Sequence, residues 1–267
     1  MTGPRTVLIC HSDDPLNCDG IARWLGATTD LVGIIELTET RNRKSKRIKR
    51  EIKRVGALRF LDVLAFRLYY RLFIARRDAD WERRTLVELR QRFDDSHMSA
   101  RKLAATSPNL AEVEAFLQKL SPDIVIARCK TLLNARIFRI PRRGTFVMHP
   151  GVCPEYRNAH GCFWALAQGD RKNVGMTLLK IDEGVDTGPI FGIYSYDFDE
   201  LIESHYVIQH NVVLCNLERI QARLGEIHAG TAIPIDRSSA PSGTWGQPWL
   251  SAYLRYRRAA QQKRARS

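Results

Sequence analysis

The stretch DIVIARCKTLLNARIFRIPRRGTFVMHPG, residues 123–151, carries the pattern from which the fold is read. After Asp123, residues 124–127 (IVIA) form an unbroken apolar run, the character of a parallel strand buried on both faces. ARIFRIPRRG then leads into TFVMHPG, a second short apolar strand that Pro150 and Gly151 stop and turn. The same alternation occurs upstream. RTVLIC at 5–10 precedes the polar turn HSDDPLNCDG and the helix-like IARWLGA, and DLVGIIEL at 30–37 comes at the spacing of a parallel neighbour. SPNLAEVEAFLQKLSPD reads as a helix with Ser107 and Pro108 at its start. Strand, helix and strand in repetition predict an α/β, Rossmann-like, mostly parallel sheet. Ligands in such sheets sit beyond the carboxyl ends of the strands, where His149 lies. The first turn has no GxGxxG, so a dinucleotide reading lacks its glycines.

The chain has 267 residues, 44% of them hydrophobic, which is enough for a full core. Cys10, Cys18, Cys129, Cys153, Cys162 and Cys215 form no CxxC pair and no Cys/His spacing of a zinc site. No metal is expected. Without a signal-type start or a long uncharged apolar run, the reading is a reduced, cytoplasmic chain. The net charge of +13 favours polyanionic partners. Much of it sits in RNRKSKRIKREIKR at 41–54 and in LRYRRAAQQKRARS at 254–267. Residues 1–235 are expected as one α/β domain, and 236–267 as a short basic tail, solvated or frayed.

A helical insertion is expected at about 41–95. Within it, Leu58, Leu61, Leu64, Leu68 and Leu72 fall on one face, while Arg59, Asp62, Arg67 and Arg71 rule out a comfortable membrane span. One or two amphipathic helices fit, packed on the core or on a second subunit in a homodimer. A basic surface through 41–72, lying on an anionic membrane or another polyanion, is a further reading.

HPGVCPEYRNAHG, residues 149–161, comes after the second strand and carries Tyr156, Arg157, Asn158 and His160. A second loop, KIDEGVDTGPI at 180–190, sets Asp182, Glu183 and Asp186 among Gly184 and Gly188. A His and an Asp on two loops at one sheet edge suit proton handling. Spacing alone also admits a structural histidine and an ordinary polar turn.

Taken together, VMHPGVCPEYRN and VDTG resemble the formyltransferases that use 10-formyltetrahydrofolate: the methionyl-tRNA, glycinamide ribonucleotide and sugar N-formyltransferases. With ALAQGD and VGMTLLKIDEGVDTGPIF between and around them, the resemblance runs from about residue 122 to 191. It implies that His149 is the catalytic histidine and that Asp186 sets its protonation. The folate co-substrate would lie between two loops, Arg128, Cys129, Lys130, Leu132 and Leu133 on one side and Asp182, Glu183, Gly184 and Val185 on the other. Lys130 or Arg128 would meet its carboxylates. The family's catalytic Asn, two residues before the histidine, is replaced here by Val147. Loss of one such donor costs about a hundredfold to a thousandfold in rate. Asn158 stands where the family usually has glycine, and its amide, or else His160, is expected to take over.

The implied activity is formyl transfer to an amine of a small acceptor, an amino-sugar or another phosphorylated or glycosyl amine. The alternative is a degenerate or altered member: a formyl-folate hydrolase, or a non-catalytic folate- or polyanion-binding protein. A tRNA acceptor is disfavoured. LIESHYVIQHNVVLCNLERIQARLGEI at 201–227 reads as one helix completing the catalytic domain, and the remainder, from Thr231 to Ser267, is short and rich in turn formers.

Overall fold

A computed structural model of the chain describes residues 3–39, 48–49 and 51–266. Strands β1 (Arg5–His11), β2 (Asp30–Leu37), β3 (Arg101–Ala105), β4 (Ile124–Arg128) and β5 (Gly144–His149) are parallel. The two-residue β6 (Arg157–Asn158) lies outside their sheet. β7 (Met176–Lys180) and β8 (Ile190–Tyr194) continue the sheet antiparallel, giving the seven-stranded order β3-β2-β1-β4-β5-β7-β8. The chain winds from β1 outward to β3, then returns to β4 on the other side of β1. In open α/β sheets ligands bind at such a reversal, here the carboxyl ends of β1 and β4, beside the end of β5.

Helix α1 (Ala22–Thr28) joins β1 to β2, and α2 (Ala57–Phe73) and α3 (Ala75–Arg92) form the insertion between β2 and β3. α4 (Ala111–Leu120) and α5 (Ala135–Phe138) flank β4 in sequence. α6 (Gly161–Ala167) precedes β7, and α7 (His205–Leu214) and α8 (Leu217–Ala229) come after β8. The sheet is apolar on both faces because helices cover both. α4 and α5 bury Val113, Leu117 and Phe138 against one face. The other face is larger and receives α1, α6, α7 and α8, with Trp24, Trp164, Ile208 and Leu224 buried.

Four local expectations change. β3, RKLAA, is a largely exposed, charged edge strand with no apolar pattern to announce it. The helix expected from Ser107 starts instead at Ala111, because the Ser107 hydroxyl accepts from the Asn109 N–H (3.3 Å) and holds a turn. The single helix expected at 201–227 is two: Ser204 caps α7 by accepting from Val207 N–H (3.1 Å). Between them, the Asn216 amide donates to the carbonyls of Val212 and Ser195, both at 3.0 Å, pinning the break to a neighbouring loop. Residues 236–267, expected as a basic tail, carry strand β9 (Thr244–Trp245) and helix α9 (Leu250–Arg264), which buries Ala252, Tyr253 and Tyr256 in the main core.

In the insertion, the basic run 41–47 lies outside the described residues. The face of α2 that packs is not the leucine face. Phe60, Val63 and Phe66 are buried, and Phe66 meets the rings of Phe163, His205 and Tyr253 at 5.6, 5.4 and 5.4 Å. Leu58, Leu61, Leu64, Leu68 and Leu72 stand exposed at 86, 61, 43, 59 and 64%. Among the described residues no helix is long and apolar enough to cross a membrane, and no His, Cys, Asp and Glu cluster could hold a metal ion.

Candidate active site

His149 closes β5 and is 3% exposed. Its Nε2 lies 2.8 Å from the Tyr156 carbonyl oxygen, and its Nδ1 lies 3.4 Å from Asp186 Oδ2. A carbonyl only accepts, so Nε2 carries a hydrogen. The ring is thus oriented by its own loop, with its other edge facing a carboxylate. The backbone N–H of Asn158 donates to the same Asp186 oxygen (2.8 Å).

Two glycines allow the 149–161 loop to fold back this tightly. A Cβ on Gly161 would stand 2.5 Å from Gly151 Cα and 2.7 Å from the Pro150 carbonyl. One on Gly151 would stand 2.9 Å from His149 Nε2. Thr177 pairs with His149 across the β5–β7 ladder, and its hydroxyl donates to the Gly151 carbonyl (2.8 Å) and accepts from the Cys153 N–H (3.0 Å). A buried threonine therefore holds the start of the loop.

The three acids of the second loop separate by position. Asp182 accepts from the Gly184 N–H (2.9 Å) and the Thr187 hydroxyl (2.8 Å), so it shapes its own turn. Glu183 pairs with Arg139 at the surface. Asp186 reaches His149, from a backbone at φ 51°. Gly188 closes the loop, where any Cβ would fall 1.8 Å from the Lys180 carbonyl. The Arg157 guanidinium donates to the Val185 carbonyl (3.3 Å) and ties this loop to the first.

Asn158 is at φ 78°, a conformation natural to glycine. Its side-chain amide does not point back to His149 but donates to the Trp245 carbonyl in β9. β9 pairs with β6, and the Trp245 ring stacks on Trp164 at 4.9 Å and on Tyr156 at 5.8 Å. Val147 is half-buried in an apolar cluster with Cys153, Leu179 and Ile190. His160 stands at φ 56°, and burial pulls its imidazole down to about 4, so it is neutral at pH 7.

The 128–133 and 181–185 loops border one core cluster: Leu133 is buried in it, and Cys129 and Ile181 pack against it. Leu132 is 64% exposed and Lys130 is exposed beside it. Arg128 turns inward: its Nε donates to Asn17 Oδ1 (2.7 Å) and an Nη to the Met148 carbonyl. Burial lowers its guanidinium from the usual range, and Asp14 offsets this only in part. Burial likewise pushes the Cys129 thiol up to about 11, away from thiolate chemistry.

Thr177, Gly161 and Trp245 are site residues that sequence reasoning missed. Gly161 could have been found, since Gly151 and Gly161 flank the loop at a distance that a closed turn requires. For Thr177 and Trp245 only tertiary pairing supplies a signal.

A family model described as formyl transferase matches residues 77–197. A methionyl-tRNA formyltransferase of Kosmotoga olearia is 40% identical over 85 residues, 32% of this chain and 27% of that protein. Another, from Lachnospira eligens, is 34% identical over 153 residues, 54% of this chain and 46% of that one. The chain thus spans less than half the length of these relatives. Among solved structures, a phosphoribosylglycinamide formyltransferase from Anaplasma phagocytophilum superposes with TM-score 0.55 at 12% identity, over 93% of this chain and 98% of that one. A sugar N-formyltransferase from a Shewanella species gives 0.53 at 12% identity, over 90% of this chain and 76% of that one. At such identities the superpositions speak for the fold: a mostly parallel α/β sheet of the formyltransferase type. Over residues 77–197 the chain is similar to the formyl transferase family, and its fold is of the same type.

Proposed function

We propose that this protein transfers a formyl group from 10-formyltetrahydrofolate to the amine of a small acceptor, an amino-sugar or another phosphorylated or glycosyl amine. One observation carries the reading: His149 and Asp186 come from separate loops to a 3.4 Å contact at the carboxyl edge of the sheet. The co-substrate supplies the formyl carbon. The exposed Leu132, the backbone of Asp182–Val185 and the Lys130 ammonium offer apolar, hydrogen-bonding and cationic groups on two loops that border one core cluster, a donor set that fits a folate. Arg128 is committed to Asn17 and Met148, so Lys130 is the cation for the carboxylates.

In this reading His149 and Asp186 move the proton that the attacking amine must lose and the departing nitrogen must gain. Asp186 keeps the imidazole oriented, and Asn158 holds Asp186 through its backbone N–H. Asn158 is then a positioning residue, its amide fixing β9. The experiment incubates the protein with 10-formyltetrahydrofolate and a panel of amino-sugars and amines while tetrahydrofolate release is followed. Release that depends on an amine is expected; no folate binding and no turnover would sink the reading. The apolar surroundings of Val147 support a second one, an altered enzyme that hydrolyses formyl-folate. It predicts tetrahydrofolate and formate without any amine.

A further inference from the structure

Helix α2 is apolar on two sides, which a helix at the surface of a monomer is not. One side is used by the core through Phe60, Val63 and Phe66. On the other, Leu61, Leu64, Leu68 and Leu72 succeed one another at three- and four-residue spacing, continued by Leu58 and by Phe73, which is 70% exposed. Seventeen residues of helix make this stripe about 25 Å long. Contiguous exposed apolar surface of that extent marks an interaction site.

The charge around the stripe selects its occupant. Between residues 52 and 77 the sequence has seven basic side chains and one acid, Asp62. Asp62 is occupied, accepting from the backbone N–H of Ser251 at the start of α9 (3.0 Å) and from its hydroxyl. Lys53 precedes the helix, Arg71 lies on its last turn, and Arg76 and Arg77 open α3; all four are exposed. Leu254 and Arg255 of α9, which packs along α2 through the Tyr69 and Tyr253 rings at 5.4 Å, are exposed as well. Apolar side chains rimmed by long cationic ones match the acyl boundary and anionic headgroups of a bilayer, where Lys and Arg stems bury while their charges stay at the headgroups. A second copy fits poorly, because it would set one cationic rim against another.

We propose that the α2 leucine face docks on an anionic lipid surface, the helix lying in the plane of the interface between bilayer and core. The test is co-sedimentation of the full chain with vesicles of phosphatidylglycerol and phosphatidylcholine in equal proportion, against pure phosphatidylcholine. Binding to the anionic vesicles and little to the neutral ones is expected. Each basic residue near such a surface contributes about fivefold, so Arg71→Gln with Arg76→Gln and Arg77→Gln should weaken binding about a hundredfold. Leu61→Asn with Leu68→Asn should weaken it at unchanged charge. These side chains are exposed, so thermal unfolding and folate binding should not move. Absence of binding to anionic vesicles, or undiminished binding of the leucine variant, would overturn the proposal. So would a lipid-free dimer in sedimentation equilibrium that the leucine variant abolishes and vesicles do not displace. None of these readouts requires turnover, so failure here leaves the formyl-transfer reading standing.

Discussion

The 149–161 loop and helix α2 present opposite solutions to one problem, what to do with a side chain that the sheet does not need. In the loop, polar groups are drawn inward and satisfied one by one: His149 by Tyr156 and Asp186, Asp186 by Asn158, the loop start by Thr177. In α2, apolar groups are left outside, because Phe66 and its aromatic neighbours already fill the contact with the core. The buried polar groups of the loop are each partnered, and the apolar groups of α2 are left to the surface. Residue type alone separates neither.

This contrast is most exposed to failure at the histidine. His149→Ala should lower formyl transfer about a hundredfold to ten-thousandfold, the range of general acid–base catalysis, with the unfolding temperature nearly unchanged. Asp186→Asn should follow it in kcat, and Leu68→Asn should leave kcat alone; equal losses in both regions would erase the distinction.

Within α2 the contrast can be drawn between two residues two positions apart. Phe66→Ala should cost about 3–5 kcal/mol in denaturant unfolding, as buried aromatic truncations do. Leu68→Ala should stay within about 0.5 kcal/mol, as surface changes do.

Acid separates the regions further. His205 is 5% exposed, faces Phe66, Phe163 and Tyr70, and has no hydrogen-bond partner on Nδ1 among the described residues. Burial pulls its imidazole down to about 3. The unfolded chain, at the ordinary 6.5, binds the proton first, so this histidine's contribution is complete above pH 6.5 and declines as pH falls toward about 3. The decline, on the order of a few kcal/mol, should appear in unfolding curves and be reduced by His205→Phe. A smaller effect is expected at Gly161→Ala, about 1–3 kcal/mol from overpacking, accompanied by lost activity as the Tyr156 carbonyl is pushed from His149.

Legibility in the sequence was a matter of range. The strands β1, β2, β4 and β5 are short apolar runs whose burial on both faces is written in consecutive residues, and they were readable within a residue or two. β3 was not, since an edge strand needs no apolar pattern. His149 and Asp186 were readable as types on two loops, and the structure places them 3.4 Å apart. The direction of the Asn158 amide was not readable, because its partner is 87 residues further along the chain.

Local spacing was enough to set the alternation of strand and helix, the sheet edge on which the loops fall, and the amphipathic period of the insertion. Packing in three dimensions settled which face of α2 is buried, that α9 and β9 close over the core, and that Asp186 rather than Asp182 or Glu183 meets the histidine. Each of those choices depends on what lies opposite in space, and no local propensity specifies that.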